Sequence, residues 1–348
     1  MPNIHIETQN GNVDYVAGKG ERLLYAGLRS GWQLPYACAS GTCGECRAQV
    51  IEGDAADLWP EAPAHKHLRR SRNEILLCQS AACADIRLRL PRSPPIAGYG
   101  EAVPRSGSAV VNSVRHLTPD VAEIVLGLDE PMCFEAGQFV LIEFPEIQGY
   151  RAYSMVNAEE SACALTFVIR KKPGGGVSDW LFRADRSGTR VRLFGPLGKA
   201  IFEPGMAHVI CIAGGSGVAG MVAIAKRAIA LPEEAVPKVD IYFGVRNPSE
   251  LFYPRELSQI KELAPDHVRI TVAFSEAGAD MGLSRAFPDL NFDTGYVHDV
   301  ALRAITKDSA AVATAFLAGP PVAVDAAIRS LVSIAGFKPA QIRFDRFA

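Results

Sequence analysis

Apolar and polar residues alternate along residues 4–16 in two runs that are separated by Asn10-Gly11-Asn12. Alternation with a period of two is typical of half-buried strands, and an Asn-Gly pair between two such runs indicates a hairpin. At residues 21–28 the leucines recur at the four-residue spacing of a helix. Strand-like patterns return at 48–51 and 86–90, so the pattern predicts an N-terminal module of strands around one short helix.

The middle of the chain is rich in short β-type runs that proline and glycine separate. These runs lie at residues 109–114, 121–128, 138–144, 164–169 and 191–194. Several short strands at this spacing are typical of a small barrel, and we predict an antiparallel one here.

The pattern changes again at residue 209. Apolar, strand-like runs at 209–213, 239–243, 268–273 and 315–317 alternate with helical stretches, one of them at 218–231. Alternation of strands with helices is typical of a parallel sheet that helices cover on both faces. The last part of the chain is therefore predicted to be a doubly wound parallel sheet.

A run of prolines and glycines at 91–104 cannot pack a core and marks a boundary between modules. A chain of 348 residues is also too long for one compact core. We predict a multidomain protein of α+β and α/β type. Its first domain spans 1–92, a linker follows at 93–105, the barrel spans 106–204 and the doubly wound domain spans 205–348.

Composition excludes several classes of protein. Hydrophobic residues make up 48% of the chain and charged residues 21%, and the net charge of -2 gives no sign of nucleic-acid binding. The sequence shows neither a secretory N-terminus nor an apolar run long enough to cross a bilayer. We expect a cytoplasmic monomer without membrane contact. In that reducing compartment its 8 cysteines are not expected to form disulfides.

Four cysteines stand out by their spacing. Cys38, Cys43 and Cys46 follow the pattern C-x4-C-x2-C, and a fourth cysteine lies at Cys78. This is the ligand spacing of plant-type [2Fe–2S] clusters, in which two bridged irons need four protein thiolates. Small residues between the cysteines suit a loop that folds tightly around a cluster. A zinc site would usually show two C-x2–4-C pairs, and buried cysteines without ligand roles are the other interpretation. With the flanking strands and helix, the spacing predicts a β-grasp [2Fe–2S] domain.

The barrel region contains the tetrapeptide Arg151-Ala152-Tyr153-Ser154. An arginine can pair with a pyrophosphate, a tyrosine can cover a flavin face, and a serine hydroxyl can reach the flavin nitrogen N5. Taken alone, a tetrapeptide more often has a structural role. Here it is accompanied by the basic Ile169-Arg170-Lys171 and by Gly174-Gly175-Gly176-Val177-Ser178 at the start of a predicted helix, where free N–H groups favour a phosphate. Together these stretches indicate FAD.

The stretch Gly214-Gly215-Ser216-Gly217-Val218-Ala219-Gly220 lies between an apolar strand and a helix, the context that a dinucleotide loop requires. Its G-x-G-x-x-G string is a weak signal by itself, because a packing turn would also explain it. After the next strand, where an acidic residue would hold the 2′-hydroxyl of NAD, the chain reads Gly244-Val245-Arg246-Asn247. Arg246 could instead bind a 2′-phosphate, so we expect a shallow preference between NADH and NADPH.

With these motifs in this order, the chain resembles the ferredoxin–NAD(P)H reductase family, in the form found as the reductase component of bacterial multicomponent aromatic monooxygenases and ring-hydroxylating dioxygenases. The resemblance covers essentially all 348 residues. The matching stretches are the cysteine loop at 35–47, Arg151-Ala152-Tyr153-Ser154, the glycine loop at 214–217, Gly319-Pro320-Pro321, and the segments 58–63 and 344–348. The last two segments look most like the toluene monooxygenase branch.

The resemblance implies that electrons pass from NAD(P)H, with NADH favoured, through FAD and the cluster to an oxygenase component or a small ferredoxin in aromatic hydrocarbon degradation. It also implies functional residues. Those at the reaction site would be Ser154, Ala318 and Phe347, the last covering the flavin. The cofactor-binding residues would be Arg151, Ala152, Tyr153, Ser154, Ile169, Arg170, Gly175, Gly176, Val177, Ser178, Gly214, Gly215, Ser216, Gly217, Arg246, Gly319, Pro320 and Phe347.

Two positions depart from the family pattern. Ala318 stands where the family usually has the cysteine of Cys-Gly-Pro-Pro, which packs against nicotinamide and flavin. Gly220 stands where a proline commonly begins the helix. Two functions follow from this: a working reductase in which these changes are neutral, or a redox-responsive regulatory protein that keeps FAD and cluster but oxidises NAD(P)H poorly.

A basic run lies in the first domain, from His65 through Lys66 and His67 to Arg69, Arg70 and Arg72. Such a run is usually a solvated face. A docking patch for an acidic partner is the other interpretation.

Overall fold

A computed structural model describes residues 1–90, 103–276 and 282–346. Most of the predicted linker at 93–105 lies outside these residues, and so does Phe347. The described chain forms three large sheets in succession, and the fold class is the one that the sequence predicts. Among the described residues, no helix has both the length and the apolar character that a membrane span needs.

The first sheet belongs to the β-grasp ferredoxin domain. Its elements are β1 (Asn3–Thr8), β2 (Gly11–Val16), α1 (Leu23–Arg29), β3 (Arg47–Glu52), β4 (Ala55–Asp57), β5 (Glu74–Leu76), β6 (Ser80–Ala82) and β7 (Ile86–Arg89). Five strands pair in the order β2-β1-β7-β3-β5, with β1 parallel to β7, while β4 and β6 form a separate ribbon. Helix α1 is buried along nearly its whole length, which explains the leucine spacing in the sequence.

The second sheet is the antiparallel barrel. Its elements are β8 (Arg105–Thr118), β9 (Val121–Cys133), β10 (Phe139–Glu143), β11 (Arg151–Ser154), β12 (Ser161–Arg170), α2 (Gly176–Arg183) and β13 (Arg190–Leu197). The strand order is β11-β10-β13-β8-β9-β12. A bridge between Met155 and Phe167 joins the two outer strands and closes the barrel. Trp180 and Leu181 of α2 pack into its core.

The third sheet is parallel throughout. Its elements are β14 (His208–Gly214), α3 (Val218–Ile229), β15 (Lys238–Val245), α4 (Pro254–Leu263), β16 (Val268–Phe274), α5 (Leu283–Ala286), β17 (Asn291–Thr294), α6 (Val297–Ala304), α7 (Lys307–Val312), β18 (Ala313–Gly319), α8 (Pro321–Ser330) and β19 (Ile342–Arg346). The strand order is β17-β16-β15-β14-β18-β19. The sequence patterns did not predict β19, which adds to the sheet beside β18.

Both faces of this sheet are buried, as its central strand shows. Val209 and Cys211 of β14 belong to one core with α3 and α4, whereas Ile210 and Ile212 belong to the opposite core with α6 and α8. Successive strand residues point to opposite faces, so a strand covered on both sides reads as one continuous apolar run. The order of the strands reverses between β14 and β18, and ligands of doubly wound sheets bind in the crevice at that point.

The ferredoxin domain and the barrel share one apolar core. Tyr25 of α1 stacks on Phe194 of β13, with ring centroids 4.3 Å apart and planes 10° from parallel, and meets Tyr150 edge-on at 5.6 Å. The Tyr25 hydroxyl donates a 3.0 Å hydrogen bond to the carbonyl of Ala39 in the cysteine loop. The cysteine loop is therefore tied to the barrel by packing, beyond the covalent link between the domains.

Candidate cofactor and electron-transfer site

A cavity of about 880 Å³ lies where the three domains meet. It is lined by all the described residues that the sequence predicts to bind FAD or NAD(P)H. These are Arg151, Ala152, Tyr153, Ser154, Ile169, Arg170, Gly175, Gly176, Val177, Ser178, Gly214, Gly215, Ser216, Gly217, Arg246, Gly319 and Pro320. Residues that are far apart in the chain thus surround one space that is large enough for a cofactor.

The cysteine loop presents backbone N–H groups to its sulfurs. The N–H groups of Ser40 and Thr42 each point at Cys38 Sγ at 3.4 Å, and that of Glu45 points at Cys43 Sγ at 3.5 Å. A hydrogen bond with Cys43, together with these N–H groups on its sulfur, lowers the pKa of Cys38 to about 4. The same hydrogen bond raises the pKa of Cys43, so within this pair it is Cys38 that favours the thiolate form that an iron ligand needs.

The four thiols are arranged as two pairs. Cys46 Sγ lies 3.2 Å from Cys78 Sγ, and the Cys38 and Cys43 thiols hydrogen-bond to each other. Across residues 1–90, 103–276 and 282–346, no three metal-ligating side chains converge on a single point. A tetrahedral zinc ion would need all four ligands around one centre, whereas a [2Fe–2S] cluster takes two thiolates at each iron. The pairing fits a cluster that takes two thiolates at each iron.

The sequence Arg151-Ala152-Tyr153-Ser154 is itself a strand, β11, at the edge of the cavity. Arg151 Nη1 donates to the carbonyls of Gln148 at 3.2 Å and Tyr150 at 3.0 Å, and its guanidinium lies 4.9 Å from the ring centroid of Trp59. Burial lowers the pKa of Arg151 and raises that of Tyr153. Both side chains are thus held in place beside the cavity, and the arginine keeps donors for an anionic group.

The glycine stretch before α2 forms a tight turn. Ser178 Oγ accepts the Lys172 N–H at 3.0 Å and hydrogen-bonds to the carbonyl of Gly175 at the same distance, so it closes the turn. No side chain caps the N-terminus of α2. The first N–H groups of the helix thus remain available for a phosphate in the cavity.

Arg170 is engaged differently from the sequence expectation. Its Nε lies 3.0 Å from Asp120 Oδ2 and its Nη2 lies 2.6 Å from Glu250 Oε2. The ion pair with Glu250 joins the barrel to the doubly wound domain, which we call the nucleotide domain. Arg170 lines the cavity, but its charge is shared with two carboxylates and does not stand free for a phosphate.

Arg246 is also paired with Glu250, which lies four residues further along the chain. Partial burial opposes ionisation of Glu250, but the hydrogen bonds from Arg246 and Arg170 hold its pKa below the usual value. Glu250 thus places a carboxylate beside Arg246, a few residues after the end of β15. Sequence analysis missed it because the residue lies beyond the expected position, although its four-residue spacing from an arginine was visible.

Two glycines make the nucleotide crevice possible. A Cβ on Gly217 would lie 2.7 Å from the carbonyl carbon of Ala318. Gly319 has φ +145°, and its Cβ would lie 3.2 Å from the backbone nitrogen of Gly214. The loop after β14 and the end of β18 therefore touch through backbone alone, and α3 begins directly behind them.

The three residues predicted to act at the reaction site differ in their placement. Ser154 lines the cavity, Ala318 is buried just behind it, and Phe347 lies outside the described residues. Ala318 pairs in register with Asp345 of β19. Burial raises the pKa of the Asp345 carboxyl to about 7, while Lys199 partly offsets that shift through its backbone N–H and its charge.

The ferredoxin domain contributes residues to the cavity that sequence analysis did not assign to it. These are Ser40, Thr42, Trp59 and Pro63. Trp59 lies in a segment that the family resemblance had marked, but no local signal in the sequence places it against β11. Ser40 and Thr42 sit in the cysteine loop, so this loop reaches the same space as β11.

Comparison with known families agrees with this three-part arrangement. Residues 6–83 match the 2Fe-2S iron-sulfur cluster binding domain, residues 108–202 match the oxidoreductase FAD-binding domain, and residues 211–328 match the oxidoreductase NAD-binding domain. All three cofactors inferred from the motifs thus correspond to a matching domain family.

Relatives match this chain over nearly its whole length. The chain is 32% identical over 341 residues to the ferredoxin–NAD(P)(+) reductase CarAd of Metapseudomonas resinovorans, which covers 97% of this chain and 98% of that protein. It is 25% identical over 354 residues to the xylene/toluene monooxygenase electron transfer component XylA of Pseudomonas putida, covering 99% and 94% of the two chains. The solved ferredoxin reductase in carbazole 1,9a-dioxygenase superposes with a TM-score of 0.82 at 31% identity, covering 99% and 98%.

Proposed function

The chain belongs to the ferredoxin–NAD(P) reductase family, and from this premise we propose that it supplies electrons to the oxygenase component, or to a small ferredoxin, of a system that degrades aromatic hydrocarbons. It is an NAD(P)H-dependent oxidoreductase that uses FAD and a [2Fe–2S] cluster. Two of its relatives, a ferredoxin reductase in carbazole 1,9a-dioxygenase and a xylene/toluene monooxygenase electron transfer component, support the aromatic pathway.

One observation carries the proposal: residues of all three domains line the same cavity. The glycine loop at 214–217 comes from the nucleotide domain, β11 from the barrel, and Ser40 and Thr42 from the cysteine loop. An electron path needs donor site, flavin site and cluster next to one another, and this cavity brings the three together.

We assign the cluster to Cys38, Cys43, Cys46 and Cys78. When bound, FAD accepts two electrons at once from NAD(P)H and releases them singly, which the one-electron chemistry of the cluster requires. We assign the flavin site to β11, with Arg151 toward the pyrophosphate and the Ser154 hydroxyl toward N5, and to the turn that Ser178 closes. Phe347 is proposed to cover the flavin.

The nucleotide would bind at the crevice between β14 and β18. The N–H groups at the start of α3 would bind its pyrophosphate, and the contact between Gly217 and Ala318 holds the loop against the strand end. Glu250 neutralises Arg246 where a 2′-phosphate would otherwise bind. We therefore propose that NADH is the preferred donor.

An anaerobic titration with NADH, followed by visible absorbance, tests the reductase function. We expect flavin and cluster absorbance to decrease together as NADH is added. If photochemical reduction bleaches both groups but NADH does not, the reductase proposal is wrong and the regulatory alternative holds. The family relationships favour the reductase, since the named relatives are reductase or electron transfer components.

A further inference from the structure

We propose that the basic segment, residues 65–72 of the ferredoxin domain, is the docking surface for an acidic face of the protein that accepts electrons from the cluster. The proposal rests on the proposed function, because it assigns the exit of the same electron path. Its exposed basic residues are Lys66, His67, Arg69, Arg70 and Arg72.

The basic segment packs directly on the cysteine loop. A Cβ on Gly44 would lie 3.3 Å from His67 Cβ, so the two backbones approach closely there. Arg47, next to the ligand Cys46, donates from Nε to the Gly44 carbonyl at 2.9 Å and from Nη1 to the His67 carbonyl at 3.0 Å. A partner bound to this segment would therefore lie beside the cluster loop.

The cysteine loop has two distinct sides. Ser40 and Thr42 line the cavity beside β11, and Gly44 contacts the basic segment. Cys43, between Thr42 and Gly44, is the one ligand that is only half-buried. Electrons that enter the cluster from the cavity side can thus leave on the side where the positive charges are.

Among the described residues, these positive charges have no counter-ions. Within the described parts of the chain, the side chains of Lys66, Arg69, Arg70 and Arg72 form no ion pair. The two acidic groups that touch the segment bind His65 and a backbone N–H group instead. Asp57 Oδ2 lies 3.3 Å from His65 Nε2, and Glu74 accepts a 2.8 Å hydrogen bond from the Arg69 backbone N–H.

Three arginines elsewhere in the same domain are paired with carboxylates, whereas Arg22 lies over the rings of Tyr25 and Tyr150. Arg29 binds Glu21 at 2.8 Å, and Arg87 and Arg89 both bind Glu7 at 2.7 Å. The fold therefore neutralises these three arginines, whereas those of the basic segment form no ion pair within the described residues. Unpaired exposed charges of one sign attract an oppositely charged partner and raise the rate of its encounter.

The segment is also held in a fixed conformation. It runs through two short 3₁₀ turns, Pro63–His67 and Arg70–Arg72, and the Ala64 N–H donates to the Gly41 carbonyl at 3.0 Å. A segment that is fixed against the cysteine loop can present its charges in one arrangement, which favours a specific partner face over general solvation.

The test compares Lys66→Glu/Arg70→Glu with the control Lys19→Glu/Lys307→Glu, which makes the same change in net charge at exposed lysines outside the segment. Both variants are assayed with FAD and cluster bound. The probes are two one-electron haem proteins of opposite charge, the acidic cytochrome b5 and the basic cytochrome c. Stopped-flow rates of cytochrome reduction are measured with photochemically pre-reduced protein at low and high ionic strength.

At low ionic strength we expect the segment variant to reduce cytochrome b5 about tenfold or more slowly than wild type and control. The difference should shrink at about 1 M salt, where the screening length falls to about 3 Å. With cytochrome c, the segment variant should be no slower than the control. If the segment variant cannot hold its cluster, Lys66→Gln/Arg70→Gln replaces it, and the salt dependence with cytochrome b5 should weaken.

Equal rates for segment variant and control with cytochrome b5 would show that the basic segment is only a solvated face. An equal loss with both cytochromes would also overturn the proposal, because charge recognition would not be the cause. Pre-reduction makes the assay independent of NADH. A wild-type protein that NADH fails to reduce would refute the proposed function while the docking comparison still gives its own answer.

Discussion

At the residue scale, we propose that Ala318, which stands where the family resemblance implies a cysteine, lies at the reaction site. Ala318 is buried near the end of β18, and its backbone lies directly against Gly217. For hydride transfer, nicotinamide and flavin must approach within roughly 3–3.5 Å of each other. We predict that Ala318→Cys raises the rate of NADH-driven flavin reduction by about tenfold, or roughly 1.4 kcal/mol of barrier. Stopped-flow absorbance measures it, and Ala318→Ser controls for volume without sulfur. If wild type is already as fast as the cysteine variant, the alanine is neutral.

Asp345 gives a prediction about pH. Its folded-state pKa of about 7 lies above the usual value of 3.8, so between these pH values the folded state binds more protons than the unfolded state. Stability should therefore fall as pH rises from about 4 to 7. We expect Asp345→Asn to remove this loss and to raise the thermal midpoint at pH 8 relative to wild type. Identical midpoint-versus-pH curves for the two proteins would contradict the assignment.

At the scale of elements, Gly220 weakens helix α3 within its first turn. A Cβ there would meet Ser154 Cβ at 3.5 Å and Oγ at 3.7 Å, which are ordinary contacts. We predict that Gly220→Ala stabilises the protein by about 0.5–1 kcal/mol, because alanine favours the helix over glycine. Gly217→Ala is the matched control: its Cβ would clash with Ala318 at 2.7 Å, so it should lower stability. Denaturant unfolding of both variants decides, and a loss of stability in Gly220→Ala refutes the prediction.

The connection between β15 and α4 decides the choice of nucleotide in our proposal. Glu250 holds Arg246 and Arg170, so neither guanidinium stands free for a 2′-phosphate. We predict that Glu250→Gln raises the ratio of kcat/KM for NADPH over NADH by about tenfold, roughly 1.4 kcal/mol of differential binding. Glu256→Gln, which removes a carboxylate paired with Arg115, is the control. An unchanged ratio in steady-state ferricyanide assays would exclude Glu250 as the determinant.

At the scale of the whole molecule, the shared core couples the ferredoxin domain to the barrel. Removing the Tyr25 ring leaves a cavity between α1 and β13 and should cost about 3–5 kcal/mol. We predict that cluster absorbance and flavin fluorescence are lost at one temperature in wild type and at two temperatures in Tyr25→Ala. Tyr25→Phe keeps the stack with Phe194 and should retain one transition. Two transitions in wild type would show that the domains unfold independently.

The sequence by itself determined the local and chemical features of this protein. Periods of two and near four residues identified the strands, α1 and α3, since these periods follow from backbone geometry. The cysteine spacing identified the cluster because three of its four ligands lie within one loop, and the spacing of neighbouring residues is visible in the sequence. The glycine loop was recognisable because it lies between a strand and a helix, both visible in the pattern.

Only the tertiary structure decided which distant groups meet. The pairing of Arg170 with Glu250, the stacking of Tyr25 on Phe194, and the contact of the basic segment with Gly44 all join residues whose separation in the chain carries no signal of contact. β19 was missed for the same reason, because a strand at a sheet edge is defined by its neighbour β18. Periodicity reports how a residue faces its own element, whereas counter-ions, shared cores and docking surfaces depend on packing between elements.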